Sequence, residues 1–278
     1  MVTDMTISFE NRIAIVTGAG GGIGAATARR LAGLGAKVAL TDINEERVQA
    51  VAKSLADEGS DVFAAKLDVT DYKAFVALVA DIVKRWGGVD ILANVAGGAL
   101  GAACQPIEQM EVEAWRSNLD LNLTGPLCGM KAVLPAMRAR GGGAIVSVAS
   151  LAAIRMSTNG GAAYTSAKSG LLGLTRHAGF EFARDNVRVT AVLPGLVDGE
   201  LMRKSAAPEA LNQARAGIPL GELTTNDQIA NAIAFLASDL GAGITGEYLV
   251  VDGGMQIGSP TSSKVYFEAR ARKLAAEG

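Results

Sequence analysis

The chain has 278 residues, which suits one α/β domain of about 250 residues or two of about 150. Hydrophobic residues make up 49% and charged residues 19%, enough apolar side chain for a large core, which excludes a disordered chain. Lys and Arg number 26 and Asp and Glu 28, so a net charge of −2 leaves no basic field to collect nucleic-acid phosphates.

The N-terminal segment lacks an apolar run of secretory length, and nowhere do about eighteen apolar residues follow one another. The expectation is a soluble, cytoplasmic protein without membrane contact. One histidine, His177, cannot build a Ser-His-Asp hydrolase or a His-ligated metal site, and no metal is expected. Cys104 and Cys128 lack ligand spacing and read as packing residues in a reducing compartment.

In chain order, short β-branched runs fall at 12–17, 37–41, 61–67, 89–95, 143–150, 186–193 and 247–252. Helical patterns separate them, for example at 25–34, 45–58 and 73–86, with apolar residues three and four apart. Such alternation predicts an α/β fold: a single-domain Rossmann-type, doubly wound sheet of about seven parallel strands with helices on both faces. The whole of 1–278 reads as one domain, with a core at 12–255 and a C-terminal extension at 259–278. The stretch 196–221 has no clear strand and reads as a loop with short helices that could serve as a lid.

The first chemical signal is the segment 17–24, TGAGGGIG, between the first strand and first helix. There backbone amides and a positive helix end can hold a pyrophosphate, and glycine lets the phosphates approach. Gly18, Gly22 and Gly24 are spaced unlike the common GxGxxG. Asp42 closes the second strand, where a carboxylate accepts both ribose hydroxyls of an adenosine and repels a 2′-phosphate. Asn44 is the N-cap candidate for the helix from Glu45.

Tyr164 and Lys168 stand four apart in AAYTSAKSG, so a helix presents both on one face. A neighbouring ammonium favours the phenolate, which would make Tyr164 an acid and base near neutral pH. Asn94 and Ser150 end the fourth and fifth strands, on the edge where open α/β sheets bind ligands. His177, thirteen residues past Tyr164, points away from that face and reads as a packing or subunit contact. Leu171, Leu172 and Leu174 read as core or dimer surface.

With these residues in place, the sequence resembles the classical short-chain dehydrogenase/reductase family over about 12–255. The matching segments are TGAGGGIG, NVAG at 94–97, LNLTG at 121–125, SVAS ending at Ser150, YTSAK at 164–168, LPG at 193–195 and ITGEYLVVDGG at 244–254. The resemblance implies that Tyr164 is the catalytic acid/base, that Lys168 lowers its pKa and holds the nicotinamide ribose, and that Ser150 hydrogen-bonds the reacting oxygen. It also implies that Asn122 anchors a proton-relaying water and that Asp68 and Val69 meet the adenine. Asn94, Ala96 and Gly97 would line or support the cofactor site, while Ile23, Pro194, Gly195 and Val197 would flank the nicotinamide. A homotetramer or dimer is implied as well.

Two departures stand out. Ser150 precedes Tyr164 by fourteen residues where thirteen is usual, and Gly199 replaces the threonine that would bind the nicotinamide amide. The expectation is an NAD-dependent dehydrogenase of small, largely uncharged secondary alcohols, cyclic or aromatic-bearing. Leu100, Leu151, Ala152, Met156, Leu201 and Met202 are the candidate pocket rim, with Arg155, Arg203 and Lys204 nearby. A 3-oxoacyl-thioester reductase shares the same motifs but fits Asp42 less well, since Gly21 stands where an NADP-binding Arg is usual. A non-catalytic dinucleotide-binding protein is disfavoured because Asn122, Ser150, Tyr164 and Lys168 are all present. In the extension, Phe267, Ala271 and Leu274 fall at helical spacing, which allows a short amphipathic tail, either packed on a neighbouring subunit near an active site or a frayed terminus.

Overall fold

The structure, a computed structural model, describes residues 6–100, 105–157, 160–199, 208–258 and 260–277. Seven strands form one parallel sheet: β1 Ile13–Thr17, β2 Lys37–Asp42, β3 Val62–Lys66, β4 Ile91–Asn94, β5 Gly143–Val148, β6 Val187–Pro194 and β7 Tyr248–Val251. Their spatial order is β3-β2-β1-β4-β5-β6-β7. All seven predicted runs are strands, each within two residues of its predicted limits. The order reverses between β1 and β4, so the carboxyl ends of these strands open a crevice there.

The helices are α1 Gly22–Gly33, α2 Glu45–Asp57, α3 Tyr72–Trp86, α4 Val112–Leu119, α5 Gly125–Ala139, α6 Gly161–Glu181, α7 Pro208–Ala216, α8 Asn226–Ala237 and α9 Pro260–Glu277. Asn44 caps α2 as expected, its side chain accepting from Arg47 N at 3.0 Å. Thr225 and Gln228 form a reciprocal capping box on α8. Gly87, in the left-handed region at φ 93°, ends α3.

Strand alternation divides the core between the two faces of the sheet. Ala14, Val16, Val38, Leu40, Ile91 and Val146 pack with Leu31, Ile229 and Ile233 from α1 and α8. Ile13, Ile15, Ala39, Leu92 and Ile145 pack with Phe75, Ile82, Met130 and Val133 from α3 and α5. Both faces are covered, hence the near-continuous apolar strands. Leu171 and Leu172 of α6 lie in the core of this chain with Ala191 and Leu193.

At the amino edge of the sheet, Asp90 is 2% exposed and paired on every side. It accepts from Ile13 N at 2.9 Å and from Arg140 Nε and Nη2, each at 3.1 Å, with Arg12 Nη1 3.7 Å away.

The stretch 196–221 holds helix α7, and α9 packs against it. Val265, Tyr266, Phe267 and Ala271 of α9 are exposed, and the Leu274 side chain lies outside what the structure describes. Among the described residues, no helix is long and apolar enough to cross a membrane.

Candidate active site

The turn between β1 and α1 folds so closely that side chains are excluded. A Cβ on Gly24 would overlap the Gly18 carbonyl, and one on Gly18 would lie 2.8 Å from Ala96 Cα, with φ already at +66°. Thr17 ties the turn to the segment after β4: its Oγ1 accepts from Val95 N at 3.0 Å and Ala96 N at 3.1 Å. Gly22 begins α1 on the side facing Asn226 and does not line the cleft.

A cleft of about 670 Å³ runs from this turn along the carboxyl edge of the sheet. Of the sequence-predicted residues, Gly18, Ile23, Gly24 and Asp42 line one part of it, and Asp68, Val69, Ala96 and Gly97 another. Asp42 sits at the end of β2, where its Oδ2 accepts from Gly20 N at 3.0 Å and its Oδ1 from Asn44 N at 2.9 Å. Asp68 is likewise held, accepting from Thr70 N and Oγ1 at 2.9 and 2.7 Å. The donor set, the excluded Cβ atoms and the strand-end carboxylate fit a dinucleotide.

Sequence reasoning passed over Arg47, Ser117 and Asp120, which also line the cleft. Arg47 had a readable signal. A helix capped by Asn44 places its third residue beside the end of β2.

Asn94 is buried behind the cleft, its Nδ2 donating to Pro126 O at 3.4 Å and Ser147 Oγ at 3.5 Å, so it joins β4, β5 and α5. Asn122 sits in a π-helical turn, Asp120–Thr124, between α4 and α5. Its Oδ1 accepts from Gly98 N at 3.0 Å, and its Nδ2 donates to Gly98 O at 2.9 Å and Asn118 O at 3.0 Å. The side chain is thus spent on holding the 97–98 backbone.

Helix α6 carries Tyr164 and Lys168 one turn apart. Lys168 is 3% exposed, and its Nζ donates to Val148 O at 2.8 Å and lies 5.6 Å from the Tyr164 ring centroid. A Cβ on Gly97 would lie 3.1 Å from that Nζ and 2.8 Å from Asn122 Oδ1, so these groups converge on one point. Burial lowers the Lys168 ammonium to about 7.

Ser150 lies two residues past the end of β5, not at it, because pairing with β6 stops at Val148. Its side chain caps the turn Leu151–Ala153, accepting from Ala152 N at 3.1 Å, and it lies near the Tyr164 phenol. Burial raises the Tyr164 phenol above its ordinary value, and the nearby Ser150 hydroxyl opposes this. The direction is opposite to the depression expected from Lys168. Lys168 directs a hydrogen bond to Val148 O, and desolvation of the ring dominates.

Pro194 ends β6 and Gly195 packs against Asp252. Val197 pairs with Thr224 across a single parallel bridge, and Asp198 N donates to Thr224 O at 2.8 Å. Among the described residues, nothing lies within 4 Å of a Cβ built on Gly199.

The rim differs from expectation. Leu100 lines the cleft, Leu151 and Ala152 are buried, Met156 is 75% exposed, and Arg155 donates to Met255 O at 3.4 Å. Leu201, Met202, Arg203, Lys204 and Cys104 lie outside the described residues. Cys128 is buried, which raises its thiol and suits a packing role. His177 is 78% exposed on α6, 3.5 Å from Glu181.

Comparison with known proteins agrees with this architecture. The family model described as "Enoyl-(Acyl carrier protein) reductase" matches residues 18–256. Cis-4-hydroxycyclohexanecarboxylate dehydrogenase of Sinomonas cyclohexanicum is 40% identical over 89% of this chain and 97% of its own. The 3-oxoacyl-[acyl-carrier-protein] reductase FabG of Escherichia coli (strain K12) is 37% identical over 90% and 99%. Among solved structures, a 7α-hydroxysteroid dehydrogenase complexed with NADH and 7-oxo glycochenodeoxycholic acid superposes with a TM-score of 0.85 at 30% identity, covering 91% of this chain and 98% of that one. The chain belongs to the short-chain dehydrogenase/reductase family, and it is an oxidoreductase acting on CH–OH groups.

Proposed function

We propose that the chain interconverts a ring-borne secondary alcohol and its ketone with NAD(H), Tyr164 moving the proton. The observation that carries this reading is buried Lys168, its Nζ 5.6 Å from the Tyr164 ring centroid and set against Gly97, which lines a dinucleotide-sized cleft. When bound, the nicotinamide supplies or accepts the hydride. The glycine turn and the α1 N-terminus hold the pyrophosphate, Asp42 takes the adenosine ribose, Asp68 and Val69 meet the adenine, and Lys168 faces the second ribose. Ile23, Pro194, Gly195 and Val197 bound the nicotinamide end, while Asn94, Ala96, Gly97 and Asn122 keep the cleft floor in shape.

Ser150 orients the substrate oxygen. In reduction Tyr164 gives that oxygen its proton, and in oxidation it takes the hydroxyl proton away. Since burial keeps the phenol protonated, the resting enzyme is set for reduction, and oxidation quickens as pH rises. The ring preference draws support from the cyclohexane and steroid substrates named for the two similar dehydrogenases.

The likeness to FabG favours a second reading, a 3-oxoacyl-thioester reductase. Comparing kcat/KM for cyclic alcohols and 3-hydroxyacyl thioesters with NAD separates them. A preference of about a hundredfold for the thioester, about 2.7 kcal/mol, would overturn the first reading. NAD is proposed over NADP because of Asp42, and equal kcat/KM for the two cofactors would refute that preference.

A further inference from the structure

Arg47 is the third residue of α2, and its side chain turns back over the glycine turn. A Cβ on Gly21 would lie 2.6 Å from its Nη2, and one on Gly20 would lie 3.1 Å from its Cβ and 2.8 Å from Asp42 Oδ2. The guanidinium therefore fills the space into which a side chain at residue 21 would project, beside the carboxylate that closes β2. Its backbone N–H serves the Asn44 cap, and none of the ion pairs among the described residues includes its guanidinium. Gly21 leaves the turn itself without a cation, yet α2 delivers one to the same place.

We infer that Arg47 is a cofactor-specificity residue: Asp42 excludes a 2′-phosphate, and Arg47 is the cation that would hold one once that carboxylate is gone. The inference rests on reading the cleft as a dinucleotide site. A guanidinium offers a planar fork of donors that matches phosphate oxygens, whereas the carboxylate at the end of β2 offers only acceptors. The two side chains flank one glycine, so their effects oppose each other at a single position on the adenosine. Replacing one residue should then invert the preference, with no new cation introduced.

The test is calorimetric titration of the whole protein with 5′-AMP and adenosine 2′,5′-bisphosphate, alongside kcat/KM for NAD and NADP. Asp42→Ala should tighten the bisphosphate relative to AMP by about ten- to hundredfold and favour NADP correspondingly. Adding Arg47→Gln should abolish that gain, while Arg47→Lys in the same background should keep most of it. Two results would overturn the inference: a double variant that retains the gain, or Arg47→Gln weakening AMP and the bisphosphate alike, the mark of packing on adenosine. Failure of the unaltered protein to bind either nucleotide would instead remove the dinucleotide reading itself, and the inference with it.

Discussion

Two charged side chains are buried at opposite edges of the sheet, and their surroundings differ. Asp90, at the amino edge, is met by a backbone N–H, a two-bond Arg140 contact and Arg12. Lys168, at the carboxyl edge, makes one hydrogen bond, to Val148 O, and otherwise faces the Tyr164 ring and the groups around Gly97. An ion whose partners are all supplied by the fold locks elements together and has nothing left for a ligand. An ammonium with donors to spare is costly to bury, and its partner comes from outside. The difference separates a cluster closed by the fold from the one proposed to be catalytic.

The largest expected effect is on the carboxyl edge. Tyr164→Phe keeps the ring and removes the proton, so kcat should fall by about 10³-fold with the NADH dissociation constant nearly unchanged. Steady-state rates and NADH fluorescence titration check this, and a variant with a tenth of the original rate would exclude Tyr164 as the acid/base.

At the amino edge the change should appear in stability instead. Asp90→Ala leaves Arg140 and the Ile13 N–H without their partner, costing about 3–5 kcal/mol in urea denaturation. An Asp90→Ala protein of unchanged stability would erase the contrast between the two edges.

A pH series sharpens the comparison. Burial lowers Lys168 to about 7 in the folded protein against 10.5 when unfolded, so between these values the unfolded chain binds more protons. Stability from this group therefore rises with pH, by up to about 1.4 kcal/mol per unit. The clean window runs from pH 7 to about 8.5, below the region where Cys128 and Tyr164, both raised by burial, act in the opposite sense. Lys168→Met should flatten the slope in urea denaturation at several pH values.

The smallest effect is expected at His177. His177→Ala on the exposed face of α6 should alter stability by no more than about 0.5 kcal/mol and leave turnover as it was. Denaturation midpoint and steady-state rate report both.

Much of the site was legible because its signals are local. The glycine turn, Asp42 at a strand end and the four-residue spacing of Tyr164 and Lys168 each lie within one element or one junction. Gly22 came with the same glycine turn, and what its Cβ position faces, Asn226 at the start of α8, is set by tertiary packing. Ser150 was placed at a strand end because Val148, Ala149 and Ser150 carry no break, whereas the strand stops where β6 ceases to pair with it. The π turn around Asn122 leaves no composition signal, since it is an adjustment of one helix to another.

What the sequence by itself determined is the order and type of elements: apolar runs of period two, helical stripes, caps and glycine turns act over a few residues. What only the tertiary structure decided is which groups share a microenvironment. Arg47 meets Gly21 across a strand-to-helix junction, Lys168 finds the carbonyl of β5, and Tyr164 is raised where sequence logic lowers it. These depend on desolvation and on distances between chain segments far apart in sequence, which packing alone sets.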